Sequence, residues 1–444
     1  MKKVLILAYD FPPYVSVGGL RPYSWYKYLH EFGLYPVVVT RQWGNKYGNH
    51  LDYVAAGESD ECIVEETEHG TIIRSPYKPN LSNRLLLKYG ENRFKIIRKI
   101  ITAFYEFAQW FFFIGPKVGL YKGAEEYLKK NKVDCIIATG EPFVLFRYAS
   151  KLSQKYNLPW LADYRDPWSQ NRERSSDFFS KKRNYYFEKK ILNSVTCITT
   201  VSEYFMSQIK ENIKDKPYEI LTNGFSLPVN FSEVSYKPDS KFLSISFVGT
   251  IYQWHPWKQF LNVINKIKKD KDLDIGITFY GINNQNEIEK YVQEFCLEIK
   301  RNMFFVKKMD NEKLMIELKK HHLLLLFNYY TFVGTKIYDY LAIRRRILLC
   351  FINDLEANLL RDSYFPLEIN SEINQNLQED IIKETNSGYS ISNQEHLYDM
   401  LIKLQNELVL EGELLCNSVG VEKFSRRSQV EKMSKLLKSI FKQG

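Results

Sequence analysis

Long apolar runs are absent from this 444-residue chain. None reaches the roughly 20 residues that a bilayer-spanning helix requires, so a helical membrane span is not expected. Cysteine is sparse and unpatterned. Cys62, Cys135, Cys197, Cys296, Cys350 and Cys416 show no CxxC or paired spacing, and several lie within apolar runs. They read as reduced core thiols of a cytoplasmic protein rather than as a disulfide framework. The seven histidines form no HExxH or other metal-ligand pattern, and His321-His322 are expected to flank a strand. No signal peptide is expected, because Met1-Lys-Lys leads directly into the short apolar segment Val4–Ala8. Internal repeats and low-complexity tracts are lacking as well.

What is present is a soluble composition, 45% hydrophobic and 26% charged, with the charge unevenly placed. Residues 1–200 carry 30 Lys and Arg against 20 Asp and Glu, whereas residues 201–444 carry 32 of each sign. The whole excess of +10 therefore lies in the first half. No basic-aromatic motif of a nucleic-acid module accompanies it, so nucleic acid is not an expected partner. The excess points to an N-terminal half that meets some other anion.

Apolar segments read as strands near 3–8, 35–40, 71–75, 133–139, 158–163, 194–200 and 218–222, with helical segments between them. A second series runs near 243–249, 273–280, 303–307, 322–328, 346–351 and 366–369. Alternating strands and helices imply parallel sheets covered on both faces. The expected class is therefore α/β, with two Rossmann-like domains facing each other across a ligand cleft. The expected boundaries are 1–225 for the first domain and 226–241 for a linker with Pro228, Pro238 and several Ser. The second domain follows at 242–424. A terminal helix over 425–444 is expected to cross back to the first domain. At this length two domains are the natural expectation.

The most informative stretch is Phe332-Val-Gly-Thr-Lys-Ile-Tyr-Asp-Tyr-Leu-Ala-Ile343, which follows the apolar run ending in Tyr330. A strand, a turn at Gly334, Thr335 as helix cap and Lys336 in the first turn make a ready anion site. Asp339, three residues on, shares that helix face and suits ribose hydroxyls. Taken alone, Lys336 and Asp339 are also what an amphipathic helix displays to solvent.

Four further motifs fall at strand ends. After the first strand, Gly18-Gly19 lets backbone approach a ligand, and Arg21, near a helix expected to begin about Pro22, can pair with phosphate. Asp163-Tyr-Arg-Asp-Pro-Trp168 puts Asp163, Arg165 and Asp166 at one strand end, either as chemistry or as an ion pair pinning a loop. Asn223-Gly224 is a turn before the linker. Gly249 closes the first strand of the second series and again permits close approach.

In this order, Gly-Gly-Leu-Arg, Asp-Tyr-Arg-Asp-Pro-Trp, Thr-Val-Ser, Thr-Asn-Gly-Phe, Phe-Val-Gly-Thr and Lys-Ile-Tyr-Asp-Tyr-Leu-Ala span nearly the whole chain. The series resembles the GT-B-fold nucleotide-sugar glycosyltransferases of family 4, in the branch with an FRDPW-like motif. The resemblance implies a retaining, hexosyltransferase-like transfer from a nucleotide diphosphate-sugar to a glycan or lipid-linked acceptor, in surface polysaccharide synthesis, with no metal or other cofactor. It implies that Gly18 and Gly19 lie by the donor diphosphate or acceptor. The diphosphate falls to Gly334, Thr335 and Lys336, the ribose to Asp339, and the nucleotide side to Asn223, Gly224 and Gly249. Asp166 or Asp163 is the best-placed base, with Arg165 between them and Glu141 behind.

Three departures stand out. The family's E-x7-E pattern survives only as Thr331 and Asp339. Thr250 occupies the Arg place after the second domain's first strand, and Lys258 or His255 is left to substitute for the missing Lys. The segment Val133–Pro142 ends without the histidine often found there. A non-catalytic GT-B nucleotide or glycan binder, or a nucleotide-sugar epimerase, is the alternative function.

The last feature is residues 84–114. Arg84, Lys88, Arg93, Lys95, Arg98 and Lys99 face a single acid, Glu91, and lead into an aromatic-rich segment, Ile100–Ile114. This pattern suits either an interfacial helix on an anionic membrane, placing the protein peripherally on the inner face, or a helix packed on the N-terminal sheet.

Overall fold

The computed structural model describes residues 1–44, 51–170, 178–228, 231, 235–271, 273–330, 333–364 and 376–443. The chain divides into two compact units, Met1–Asn223 with Arg426–Gly444, and Gly224–Ser425. Its class is α/β, with two parallel-sheet domains and a C-terminal helix.

The first unit begins β1 (Lys2–Leu7), α1 (Val17–Tyr28), β2 (Leu34–Arg41), β3 (Ile63–Glu66), β4 (Thr71–Ser75), α2 (Leu81–Tyr89), α3 (Lys95–Ala108) and α4 (Val118–Lys130). It continues β5 (Cys135–Thr139), α5 (Val144–Tyr156), β6 (Trp160–Tyr164), α6 (Phe178–Leu192), β7 (Cys197–Thr200), α7 (Glu203–Lys210) and β8 (Tyr218–Ile220). The strand order is β3-β4-β2-β1-β5-β6-β7-β8, parallel except for the β3–β4 edge pair. From β1 the chain winds first toward β2 and later toward β5. The crevice beyond the carboxyl ends of β1 and β5 is thus the topological switch point of this sheet.

The second unit runs β9 (Leu243–Val248), α8 (Trp257–Lys271), β10 (Ile275–Tyr280), α9 (Gln285–Phe295), β11 (Met303–Val306), α10 (Asn311–Leu318) and β12 (Leu323–Phe327). Then come α11 (Lys336–Ile343), β13 (Arg346–Cys350), α12 (Leu355–Tyr364), α13 (Leu377–Thr385), β14 (Gly388–Ile391) and α14 (Gln394–Glu411). Its order is β11-β10-β9-β12-β13-β14, all parallel, with the switch point between β9 and β12.

The final helix, α15 (Arg426–Gln443), belongs to the first unit. Val430, Met433, Leu437 and Ile440 recur every three to four residues, as one face of a helix does. They pack on Val4, Ile6, Trp25 and Leu29. Gln429 Oε1 accepts a hydrogen bond from the Thr222 N–H at 3.1 Å.

Most expected strands are present within a few residues of their places. β3 and β14 had not been expected; both are short, and neither is fully buried. The strand expected over 366–369 and Thr331 lie outside the described residues. The helix expected near Pro22 begins five residues earlier, at Val17. Extended Ser16 accepts the Gly18 N–H on its hydroxyl at 3.0 Å, a side-chain cap that starts the helix there. The described part of the expected linker is anchored in the second unit by buried Phe231, with the Lys319 ammonium 3.8 Å from its ring centre.

One buried ion pair ties the first unit together. Arg21 of α1 and Asp163 of β6 are 7% and 0% exposed, with Nη2 2.7 Å from Oδ1 and Nε bonded to both carboxylate oxygens. Arg21 also donates to the carbonyls of Leu221 and Thr222, and Thr199 of β7 donates to Asp163 at 2.7 Å. Removing one partner leaves the other charge buried. Asp163→Ala is expected to destabilise this unit by about 3–5 kcal/mol in urea unfolding. A loss under about 1 kcal/mol would show that the pair does not carry this load.

Candidate active site

Each sheet gathers polar and charged side chains at its own switch point. In the second unit the loop after β9 opens with Gly249 at φ +77°, in the left-handed region that favours glycine. Lys336, the first residue of α11, fills the space a side chain there would need: a Cβ on Gly249 would lie 3.2 Å from its Cε. Its Nζ is 3.4 Å from the Thr250 carbonyl and 4.6 Å from the centre of the Phe247 ring. Burial lowers the Lys336 pKa to about 8. The amine is held in an apolar wall at the start of a helix, where first-turn N–H groups point outward.

Several expectations change here. Thr335 makes no side-chain capping bond, because its backbone is already helical rather than extended. Among the described residues, only the Tyr329 ring would come within reach of a Cβ on Gly334, at ordinary contact distance. Lys258 lies on the exposed face of α8 against the Trp257 and Tyr291 rings, 5.3 and 5.4 Å from their centres. His255, the other candidate substitute, is the one that reaches the switch point. It is 1% exposed and packed against Phe327, Trp254 and Tyr329. Its Nδ1 accepts from the Tyr252 N–H at 3.2 Å, which puts the ring proton on Nε2. Nε2 is buried without a hydrogen-bond partner among the described residues. Burial, then the Lys336 charge, hold the imidazole well below its ordinary pKa. Asp339 is half-buried in the first turn of α11.

In the first unit, Arg165 just past β6 organises the switch point. Its Nε donates to the Gly140 carbonyl at 2.7 Å and its Nη2 to the Glu141 carbonyl at 3.4 Å. A Cβ on Gly18 would collide with Arg165 Nη1 and stand 2.9 Å from Asp10 Oδ2. A Cβ on Gly19 would meet the Asp10–Phe11 backbone at 3.3 Å. At Gly18 the contact is with the ends of side chains, and at Gly19 with backbone that leaves a side chain little room. Two carboxyls flank the guanidinium. Burial raises the Asp166 pKa, with Arg165 opposing. Burial likewise raises Asp10, opposed by the Ser16 hydroxyl 2.7 Å away and by Arg165. The loop carrying Asp166 is held from behind by buried Glu188, which accepts from Tyr164 at 2.8 Å, Gln170 at 2.9 Å, Asn212 at 2.8 Å and Ser169.

The placements of Arg21 and Asp163 are corrections. Both are consumed by their mutual ion pair, so Arg21 has no fork left for a phosphate and Asp163 is sealed from any proton it would accept. Glu141 instead lines a cavity of about 370 Å³ with Glu106, Trp110, Trp168 and Asn184. Asn223 is half-buried at the last position of the first unit, and Gly224 opens the second. Asp10 had not been anticipated; its only signal was its place directly after the first strand. Among the described residues no cluster of three or more His, Cys, Asp or Glu side chains is placed to hold a metal ion.

No family model matches this sequence, and no curated protein is similar to it in sequence. Solved structures share its fold at full length. Sucrose-phosphate synthase from Thermosynechococcus elongatus superposes with a TM-score of 0.59 at 14% identity, covering 100% of both chains. A UDP-forming α,α-trehalose-phosphate synthase from Burkholderia vietnamiensis gives 0.60 at 8% identity, again over 100% of both. HepE from Anabaena, in complex with UDP-glucose, gives 0.54 at 10% identity over 99% of this chain and 100% of its own. The chain therefore has the GT-B fold of these proteins.

The Lys336 site makes a pH-dependent prediction. An anion binding beside the amine raises its pKa, so affinity is present below about 8 and falls as pH rises through that value. Calorimetric titration with a nucleoside diphosphate should show this fall. Lys336→Ala should bind more weakly and with no such inflection, and Lys336→Arg should stay charged and lose the inflection too. A wild-type affinity that is flat across this range would remove Lys336 from the site.

Proposed function

We propose that the chain is a retaining glycosyltransferase that moves a sugar from a nucleotide diphosphate-sugar to a glycan or lipid-linked acceptor. One observation carries the reading: Lys336, at the head of α11, stands against Gly249 at the β9/β12 switch point with Asp339 one turn on. A diphosphate on the helix tip and Lys336, with the ribose on Asp339, matches donor chemistry to each group. The GT-B fold supports it, since HepE with that fold was solved with UDP-glucose.

In this mechanism the bond between the anomeric carbon and the diphosphate oxygen breaks as the acceptor hydroxyl attacks from the same face. Charge developing on the leaving phosphate is met by α11 N–H groups and the Lys336 ammonium, donors typically worth about 2.7–4 kcal/mol each. The hydroxyl proton passes to the leaving phosphate or to Asp166, whose burial-raised pKa suits a base. Asp10 is the second carboxyl available for that proton. No metal or other cofactor enters the proposal. The setting we infer is surface polysaccharide synthesis, by a protein peripheral to the inner face of the cell membrane.

A specific pair of residues favours a second reading, a non-catalytic nucleotide or glycan binder. Thr331 and Thr250 stand where the resembled family carries a carboxylate and an arginine. An acceptor-dependent assay separates the two.

A thermal-shift panel of nucleotide-sugars tests donor binding, because a ligand at 100 times its Kd stabilises by about 2.7 kcal/mol. Stabilisation by none of them, nor by any nucleoside diphosphate, would sink the proposal. With the donor known, Asp339→Ala should raise its KM by the equivalent of about 1.5–3 kcal/mol, the worth of a hydrogen bond to a charged group. Asp166→Asn should lower kcat about 10²–10⁴-fold with donor affinity intact. If kcat is unchanged in Asp166→Asn, the proton goes elsewhere.

A further inference from the structure

Helix α3 leaves its apolar face in water. Ile96, Ile100, Phe104 and Phe107 recur at helical spacing, and Phe111 and Phe112 extend the row beyond the last turn. Ile96 is 75% exposed, Phe104 61% and Phe112 64%. A different side of the helix makes its contacts. Ser82 of α2 bonds Thr102 at 2.9 Å and the Arg98 carbonyl at 3.1 Å. Packing on the N-terminal sheet, one of the two expectations for this segment, therefore does not cover the row. α2 adds exposed Leu81, Leu87 and Tyr89. A contiguous apolar patch of this kind marks an interaction surface.

The charge around it identifies the partner. Arg84, Lys88, Arg93, Lys95, Arg98 and Lys99 lie on or between α2 and α3, where the only acids are Glu91 and, near the end of α3 at the cavity described below, Glu106. A second copy of the chain on this face would bring the same cations together, since a two-fold interface pairs a patch with itself. An anionic bilayer answers both features, with headgroups for the cations and an acyl boundary for the rings. Among the described residues no helix is long and apolar enough to cross the membrane, so the contact is one of lying on it.

The same helix leads into the cavity of about 370 Å³. Glu106, Gln109 and Trp110 line it, and Trp110 stacks on Trp168 with ring centres 4.9 Å apart. That volume lies within the roughly 300–1,000 Å³ range of small-molecule sites.

We propose that α2 and α3 dock the first unit on an anionic lipid bilayer, with the Ile/Phe row at the acyl boundary. Docking then sets the mouth of the adjoining cavity at headgroup level, where the sugar of a lipid-linked acceptor enters it. The second step rests on the acceptor reading given above; the docking does not.

Co-sedimentation of the full chain with vesicles, without any donor, tests it. Binding is expected to vesicles containing phosphatidylglycerol at low salt, to fall as salt rises, and to be weak on phosphatidylcholine alone. The double variant Ile100→Glu with Phe104→Glu, and the replacement of Arg93, Lys95, Arg98 and Lys99 by Ser, should each reduce partitioning by at least tenfold or so. Both should keep wild-type circular dichroism and nucleoside-diphosphate affinity. Three results would overturn the proposal: no binding to anionic vesicles at low salt, partitioning indifferent to lipid charge or to folded variants, or a dimer in sedimentation equilibrium that Phe104→Glu dissociates. Vesicle binding without nucleoside-diphosphate binding would instead defeat the proposed function and leave the docking surface standing.

Discussion

A parallel strand covered on both faces leaves polar chemistry only its ends. Every side chain of β12 and the last four of β1 are buried and apolar, and parallel ladders admit no hairpin turns, so each strand must be followed by a crossover. Functional groups are thereby driven to the loops beyond the carboxyl ends. Where the winding direction reverses, adjacent loops part and leave a crevice. Asp10, Arg165 and the Glu141 loop gather at the β1/β5 reversal, and Gly249, His255, Tyr329 and Lys336 at the β9/β12 reversal. Asp163, fully buried inside β6, is tolerated because Arg21 and Thr199 satisfy it.

The same constraint explains what was legible beforehand. Strands buried on both faces announce themselves as short apolar runs, which is why the core of each sheet could be read directly. β3, with its alternating half-exposed residues, gives no such run. The start of α1 was misjudged because Pro22 is a louder signal than a serine whose hydroxyl happens to cap. Residue type and order placed Lys336, Gly249, Arg165 and Asp166 beyond strand ends, where the structure has them. They could not tell which charges would find one another. Arg21 and Asp163 are 142 positions apart, and nothing local predicts that they meet. Nor does any local pattern announce that the Arg165 guanidinium comes up against Gly18 and the Asp10 backbone against Gly19. A lone aspartate after a strand, such as Asp10, carries no pattern at all.

The apolar row on α3 runs against this economy. Burying apolar surface is the main favourable term of folding, at roughly 25 cal/mol per Å². Large rings left in solvent contribute nothing to it. The helix is nonetheless well specified, since Ser82, Thr102 and Arg98 fix which side rests on α2. A helix built with care and then left uncovered is better understood as a surface shaped for contact than as core that failed to close.

Three perturbed groups complete the picture. Burial is the largest cause acting on Lys336, Asp10 and Asp166, and in each case it disfavours the charged form. Holding the Lys336 amine near 8 rather than 10.5 corresponds to on the order of 3 kcal/mol of unfavourable charge burial. Ordinary surface lysines and aspartates carry no such cost, and folding alone gives no reason to keep it. An anion placed beside Lys336 would return that energy as binding, and a proton gained by Asp166 would relieve its carboxylate. Each switch point thus holds an ionisable group against its preferred state, a feature that functional sites share with structural ion pairs.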